Sequence, residues 1–284
     1  MDELIAGAAH RAQRYLAAIG ERPVAPPAEA VARLDQLGGP LPAGPSDPAE
    51  VLAQLDQIAS PATVASAGPR YFGFVTGGSL PAALAANWLA TAWDQNAALS
   101  VMSPAATQLE AIALDWLLDV LGLPRSAGGA FVTGATMANF TALAAARHAV
   151  LARAGWDVES RGLFGAPPIT VVVGAEAHAT IFKALSLLGL GRDRVIAVPA
   201  DDQGRMRADA FPALSGPAIV CSQAGNVNTG AFDPFGAIIP RAHDAGAWVH
   251  VDGAFGLWAA AAPTRAHLVA SVTDADSWAT DAHK

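Results

Sequence analysis

From residue 130 onward short apolar runs alternate with helical segments, and no other feature restricts the fold as much. The apolar runs lie at 130–133, 169–173, 194–198, 218–221, 247–251 and 276–280. Between them, 137–153, 180–190, 234–245 and 261–269 carry helical spacing. Strands apolar on both faces and separated by helices predict a mainly parallel sheet flanked by helices, an α/β fold.

The N-terminal part is different. Residues 1–60 read as helical, with breaks at 23–27 and 38–48. Ser46 or Asp47 is the expected cap of a helix with Pro48 in its first turn. Helical spacing returns over 80–98 and 105–121, where Leu109, Ile112, Leu114, Trp116, Leu117 and Val120 form an apolar face. No internal repeat or low-complexity linker interrupts the chain.

At 284 residues, 52% hydrophobic and 15% charged, the chain is long and apolar enough for a sizeable core. A net charge of −8 without a basic run argues against nucleic-acid binding. The single Cys221 has no internal disulfide partner, as suits a reducing cytoplasm, and its apolar run predicts a buried thiol. The Met-Asp-Glu start lacks a basic targeting region, and the alanine-rich stretch 82–92 is too short and polar to span a membrane. The expectation is a cytoplasmic protein without membrane contact.

Several segments carry chemistry. Gly128 to Asn139 places small residues between an apolar run and a long helix, so backbone N–H groups and the Thr136 hydroxyl meet where a helix dipole favours an anion. It reads either as a phosphate cradle or as a Gly-rich turn with Thr136 as cap. Neither the G-x-G-x-x-G nor the Walker A pattern is present. His178 follows the run 169–173 and precedes a helix, at the sheet edge where α/β folds bind ligands. It is either a flat group beside an aromatic cofactor or a helix cap. His250 and Asp252 share one face of their strand. His250 fits a core histidine or a supporting role, whereas a carboxylate ending an apolar strand must find a partner. The histidines lack metal-ligand spacing, and no G-x-S-x-G is present, so neither a metal nor a serine hydrolase is expected.

The strand-terminal Asp252 followed by His283-Lys284 is the arrangement that holds pyridoxal phosphate (PLP). The lysine amine forms a Schiff base with the aldehyde, and the aspartate keeps the pyridine nitrogen protonated.

Together these segments resemble the group II PLP-dependent amino-acid decarboxylases, which include aromatic-amino-acid, histidine and glutamate decarboxylases. The matching pieces keep the family's order: Pro69-Arg-Tyr-Phe72-Gly-Phe74, Ser103-Pro-Ala-Ala-Thr-Gln-Leu-Glu110, Gly134-Ala135-Thr136, Ala177-His178, Gly230-Ala-Phe-Asp233-Pro, His250-Val-Asp252-Gly-Ala254 and Asp281-Ala-His283-Lys284. They cover the chain from about residue 45 to its end. The Asp and His-Lys pieces are shared by other PLP enzymes of the aspartate-aminotransferase fold; the Ser-Pro-Ala segment is more particular to the decarboxylases.

The resemblance implies a fold-type I large domain over 61–284, with residues 1–60 as an N-terminal segment that clasps a second subunit of a homodimer. It implies Lys284 as Schiff-base lysine, Asp252 on the pyridine nitrogen, His178 stacked on the ring and Ala254 on its other face. Ala135 and Thr136 would bind phosphate with His283 close by, and Phe72 and Phe74 would line the substrate pocket near the dimer interface. The implied activity is decarboxylation of an L-amino acid to the amine and CO2. An aldolase, lyase or aminotransferase reaction on the same scaffold is the alternative, though His178 in the stacking place disfavours aspartate-type aminotransferases. Two departures stand out: Asp281 where many members have Asn, and Gly225-Asn-Val-Asn-Thr229 in place of a hydroxyl-rich run. The family continues past the lysine with a loop carrying a catalytic Tyr and a small C-terminal domain. The expectation is therefore a partial chain or a truncated, inactive subunit.

Overall fold

Five strands build one parallel sheet in the order β2-β1-β3-β4-β5, where β1 is Thr170–Gly174, β2 Ile196–Val198, β3 Ala218–Gln223, β4 Trp248–Asp252 and β5 Ser277–Ala279. The structure, a computed structural model, describes residues 2–284. After β2 the chain returns past β1 to lay down β3, so the winding direction reverses between β1 and β3. In open parallel sheets the crevice at the carboxyl ends beside such a reversal is the usual ligand site.

The apolar runs dictate the layers. On one face Val171, Val173, Ile219 and Cys221 pack against Leu143, Ala146 and Val150 of α6 (Ala135–Arg153) and Ile181, Ala184 and Leu185 of α8 (Ala179–Leu187). On the other, Val172, Val220, Val249 and Val251 meet Ile238, Ile239 and Ala242 of α9 (Phe235–Asp244) together with Leu257 and Val272. Each fully buried aliphatic side chain contributes about 1.5–3 kcal/mol, so residues apolar on both sides leave the sheet no solvent face.

Contacts divide the chain into two compact units, one up to Asn87 and one over Trp88–Ala282 with Lys284. The first holds α1 (Asp2–Ala18), α2 (Ala28–Ala32) and α3 (Pro48–Ala59), with Arg11 and Arg14 both bonded to Asp56 at 3.0 and 2.9 Å. Asp47 caps α3 by accepting from the Ala49 amide at 2.8 Å, with Pro48 at the first helical position. Helix α4 (Pro81–Trp93) then leads into the second unit, which adds α5 (Pro104–Val120) and α7 (Val158–Arg161).

Three expectations need correction. Residues 130–133 form no strand: Phe131 and Val132 are exposed and no neighbour completes a ladder, so the run is a connector into α6. The expected helix over 261–269 is two 3-10 turns, Gly256–Ala261 and Ala266–Val269, because Pro263 removes an amide donor between them. The apolar face of α5 is also only partly covered. Leu118 is its buried residue, while Leu109 and Trp116 are 55% and 70% exposed.

Candidate active site

Asp252 closes β4 at the carboxyl edge of the sheet, beside Gln223 of β3 and Ala279 of β5. Its carboxylate is buried, with Oδ1 accepting from the Ala254 amide and Oδ2 from Asn139 Nδ2, each at 3.2 Å. Burial raises the pKa of this carboxyl; the bonds from Ala254 and Asn139 and the charges of His178 and Lys284 oppose the rise. A buried carboxylate under this tension is stabilised by a cation placed against it.

Four hydrogen bonds stitch the loop after β4 to the segment after β5 that leads to Lys284, whose charge acts on the Asp252 carboxyl. Gly253 N donates to Ala279 O at 2.8 Å and Asp281 N to Ala254 O at 2.9 Å. Trp258 Nε1 donates to Asp281 O at 3.0 Å, and Thr280 Oγ1 to Gly253 O at 3.1 Å. Lys284 Nζ stands 3.8 Å from Asp281 Oδ2, so Asp281 has a role as the ion partner of the lysine. The chain has only one other lysine, the exposed Lys183 of α8.

The N-terminus of α6 supplies the anion end. Gly134 takes φ 133°, a conformation that side-chain-bearing residues avoid, and its carbonyl accepts from both Met137 N and Ala138 N. That leaves the first-turn amides of Ala135 and Thr136 outside the helix's own ladder, at the positive end of a 19-residue dipole. Gly134 rather than Thr136 is the cap, so the Thr136 hydroxyl is not used in capping.

His178 caps α8: its Nδ1 accepts from Thr180 N at 3.3 Å and lies 3.0 Å from Thr180 Oγ1. The helix-cap reading of His178 is therefore correct as geometry, and it holds the ring at the edge of β1 in a fixed orientation. Ala254 is half-buried beside Asp252, and His283 is exposed next to Lys284. Phe72 and Phe74 lie in the first unit, where they are 92% and 89% exposed.

These residues fit PLP by chemistry: an amine for the aldehyde, a buried carboxylate for the ring nitrogen, and helix-terminal amides for the phosphate. Around them the structure adds groups that sequence reasoning missed. Asn139, fully buried in α6, touches both Asp252 and Thr180. Its signal was an amide in the stretch 138–146, whose only other polar residue is Thr141. Asp233 is buried and accepts from Met206 N and Gln223 N, both at 2.7 Å, while burial pushes its pKa up to about 6. A small cavity between the ends of β1 and β3 is lined by Ala177, Ser222, Gln223, Asp233 and Asp252. Among the described residues no group of His, Cys, Asp and Glu is placed to hold a metal, and no helix is long and apolar enough to cross a membrane.

Comparison with known proteins agrees with this geometry. The pyridoxal-dependent decarboxylase conserved domain matches residues 34–284. Tryptophan decarboxylase 1 of Oryza sativa subsp. japonica is 34% identical over 240 residues, covering 77% of this chain and 46% of that protein. Cysteine sulfinic acid decarboxylase of Mus musculus is 31% identical over 230 residues, 78% of this chain and 46% of that one. The crystal structure of mouse CSAD superposes with a TM-score of 0.89 at 26% identity, over 100% of this chain and 60% of that one. Oryza sativa TDC with PLP and tryptamine gives 0.85 at 28% identity, over 100% and 63%. The chain thus spans a little under half the length of these curated relatives. The fold is that of the PLP decarboxylases, and the chain belongs to the pyridoxal-dependent decarboxylase family.

Proposed function

We propose that the protein decarboxylates an L-amino acid to its amine and CO2, using PLP held on Lys284. The observation that carries this reading is the buried Asp252 carboxylate at the carboxyl edge of the sheet, within the electrostatic reach of His178 and Lys284 and beside the reversal point of the sheet. PLP, when bound, supplies the electron sink for the pair left behind as the α-carboxylate departs.

The chain's own residues do the rest. Asp252 would pair with the ring nitrogen and hold its proton, a preorganised charge of the kind that usually supplies the largest part of catalysis. The amides of Ala135 and Thr136 would hold the phosphate, with His283 as a further contact. His178, kept in orientation by Thr180, and Ala254 would hold the ring. Lys284 would bind the cofactor through its amine, which stands 3.8 Å from Asp281 Oδ2.

Phe72 and Phe74 line the substrate pocket within a homodimer. Their exposure supports a surface covered by a second subunit. Residues 1–60 are the dimer clasp and 61–284 the PLP-binding domain. The buried, free Cys221, whose thiol burial pushes up to about 12, suits the reducing cytoplasm.

The test is CO2 release from a panel of aromatic, acidic and sulfinic L-amino acids with the PLP-loaded protein. Release from one class supports the reading. Amine-group transfer or carbon–carbon cleavage without CO2 would move the protein to another fold-type I reaction, and complete inactivity of a PLP-loaded protein to an inactive subunit.

A further inference from the structure

Beneath Asp252 runs a chain of side chains that no step above uses. Trp248 Nε1 donates to Ser277 Oγ at 2.8 Å, and Ser277 Oγ lies 3.0 Å from His250 Nδ1. His250 Nε2 lies 2.9 Å from Asn139 Oδ1, and Asn139 Nδ2 donates to Asp252 Oδ2 at 3.2 Å. The second amide hydrogen of Asn139 reaches Thr180 Oγ1 at 3.2 Å, which in turn lies 3.0 Å from His178 Nδ1. We infer that these groups form a hydrogen-bond relay of one fixed direction, in which Asn139 is the positioning residue that orients both Asp252 and His178.

The direction follows from what each group is able to donate. An indole N–H is a donor only, so Ser277 Oγ accepts from Trp248, and it donates to His250 Nδ1 when that nitrogen is bare. His250 is fully buried, and burial lowers its pKa to about 4, so the ring is neutral; Asn139 Oδ1, an acceptor only, faces Nε2, so the one hydrogen sits on Nε2 and Nδ1 is bare. That hydrogen goes to Asn139 Oδ1. The amide NH2 of Asn139 then faces Asp252 and Thr180. The flipped amide would set a carbonyl oxygen against a carboxylate oxygen, two acceptors with no hydrogen between them.

Every donor in the chain therefore points toward Asp252. With Ala254 N on Oδ1 and Asn139 on Oδ2, both carboxylate oxygens have a donor in the buried site. The branch through Thr180 sends the same polarity to His178 Nδ1. A single amide so couples two groups that β1 and β4 deliver from opposite sides of β3. The catalytic meaning of the relay rests on the proposed role of Asp252, whereas its direction does not.

Ring-15N NMR of histidine-labelled protein, purified with PLP and assigned with a His250→Gln variant, reads the direction. The expected spectrum at neutral pH has His250 protonated on Nε2 and bare on Nδ1. Ser277→Ala should give a mixture of tautomers, and Ser277→Thr should restore the single form. Asn139→Leu should lower kcat about tenfold to a hundredfold, the worth of a hydrogen bond to a charged group, with KM little changed in the folded, PLP-loaded fraction. A His250 bearing its hydrogen on Nδ1, or a Ser277→Ala spectrum identical to the wild type, overturns the relay. An unchanged kcat in folded Asn139→Leu overturns the positioning role. Protein with the Nε2–H form but no PLP uptake would retain the relay while refuting the proposed function.

Discussion

The Asp233 carboxylate receives the Met206 amide at 2.7 Å and so ties the turn after β2 to the end of β3, where its other oxygen takes the Gln223 amide at the same distance. Burial nevertheless raises this carboxyl from 3.8 to about 6. A raised folded-state pKa gives stability that is complete below 3.8 and lost as pH rises through about 6. The rise is worth roughly 3 kcal/mol. Denaturant unfolding followed between pH 4 and 7 should show Asp233→Asn gaining relative to wild type across that window. Parallel curves for the two proteins would contradict the account.

Close backbone approach fixes the loop that presents Asp252. A Cβ on Gly256 would stand 2.1 Å from Ala224 O, a contact that only backbone movement relieves. Gly256→Ala should therefore destabilise the protein by about 1–3 kcal/mol, the usual cost of overpacking, and impair PLP binding as the loop shifts. Thermal unfolding with and without PLP measures both effects; an unchanged melting temperature would show that the loop yields freely.

Asp252→Ala should still take up PLP while turnover falls about a hundredfold to a thousandfold, the scale of removing one preorganised electrostatic partner. Because the change also strands Asn139 Nδ2, folding is checked first by circular dichroism. Near-normal CO2 release from folded Asp252→Ala protein would dismiss its role.

Phe74→Ala should leave the fold of the single chain intact, where Phe74 is exposed, yet alter the ranking of amino-acid substrates. Phe74 and Val75 also hold φ at 57° and 50°, unusual for bulky and β-branched residues, as is typical of functional loops. Light scattering of the same samples tests the dimer: an active monomer would refute it, and unaltered substrate ranking would remove Phe74 from the pocket.

The sheet was legible because Val171–Val173 and Ala218–Cys221 are apolar on consecutive residues and Trp248–Val251 is broken only by His250, a pattern that a doubly covered strand produces. The burial of Asp252 was legible for the converse reason, as a charge that ends an apolar strand, while Lys284 was singled out by the His-Lys pair downstream of it. The segment 130–133 misled because its composition suits a strand, while pairing depends on a neighbour that periodicity does not reveal. Asn139, Ser277 and Thr180 escaped notice because their meaning lies in bonds to partners far along the chain, such as Asn139 with His250 and Asp252. Asp233 was visible as part of a motif, but its two amide partners come from the end of β3 and from the turn after β2.

The central claim is that Lys284 carries the cofactor, and borohydride reduction followed by peptide mass spectrometry tests it most directly. The chain's two lysines make the answer binary. Protein purified with PLP should be yellow, lose its visible band on reduction, and carry the pyridoxyl mass on Lys284 alone. Colourless protein, or the label on Lys183, would contradict the account.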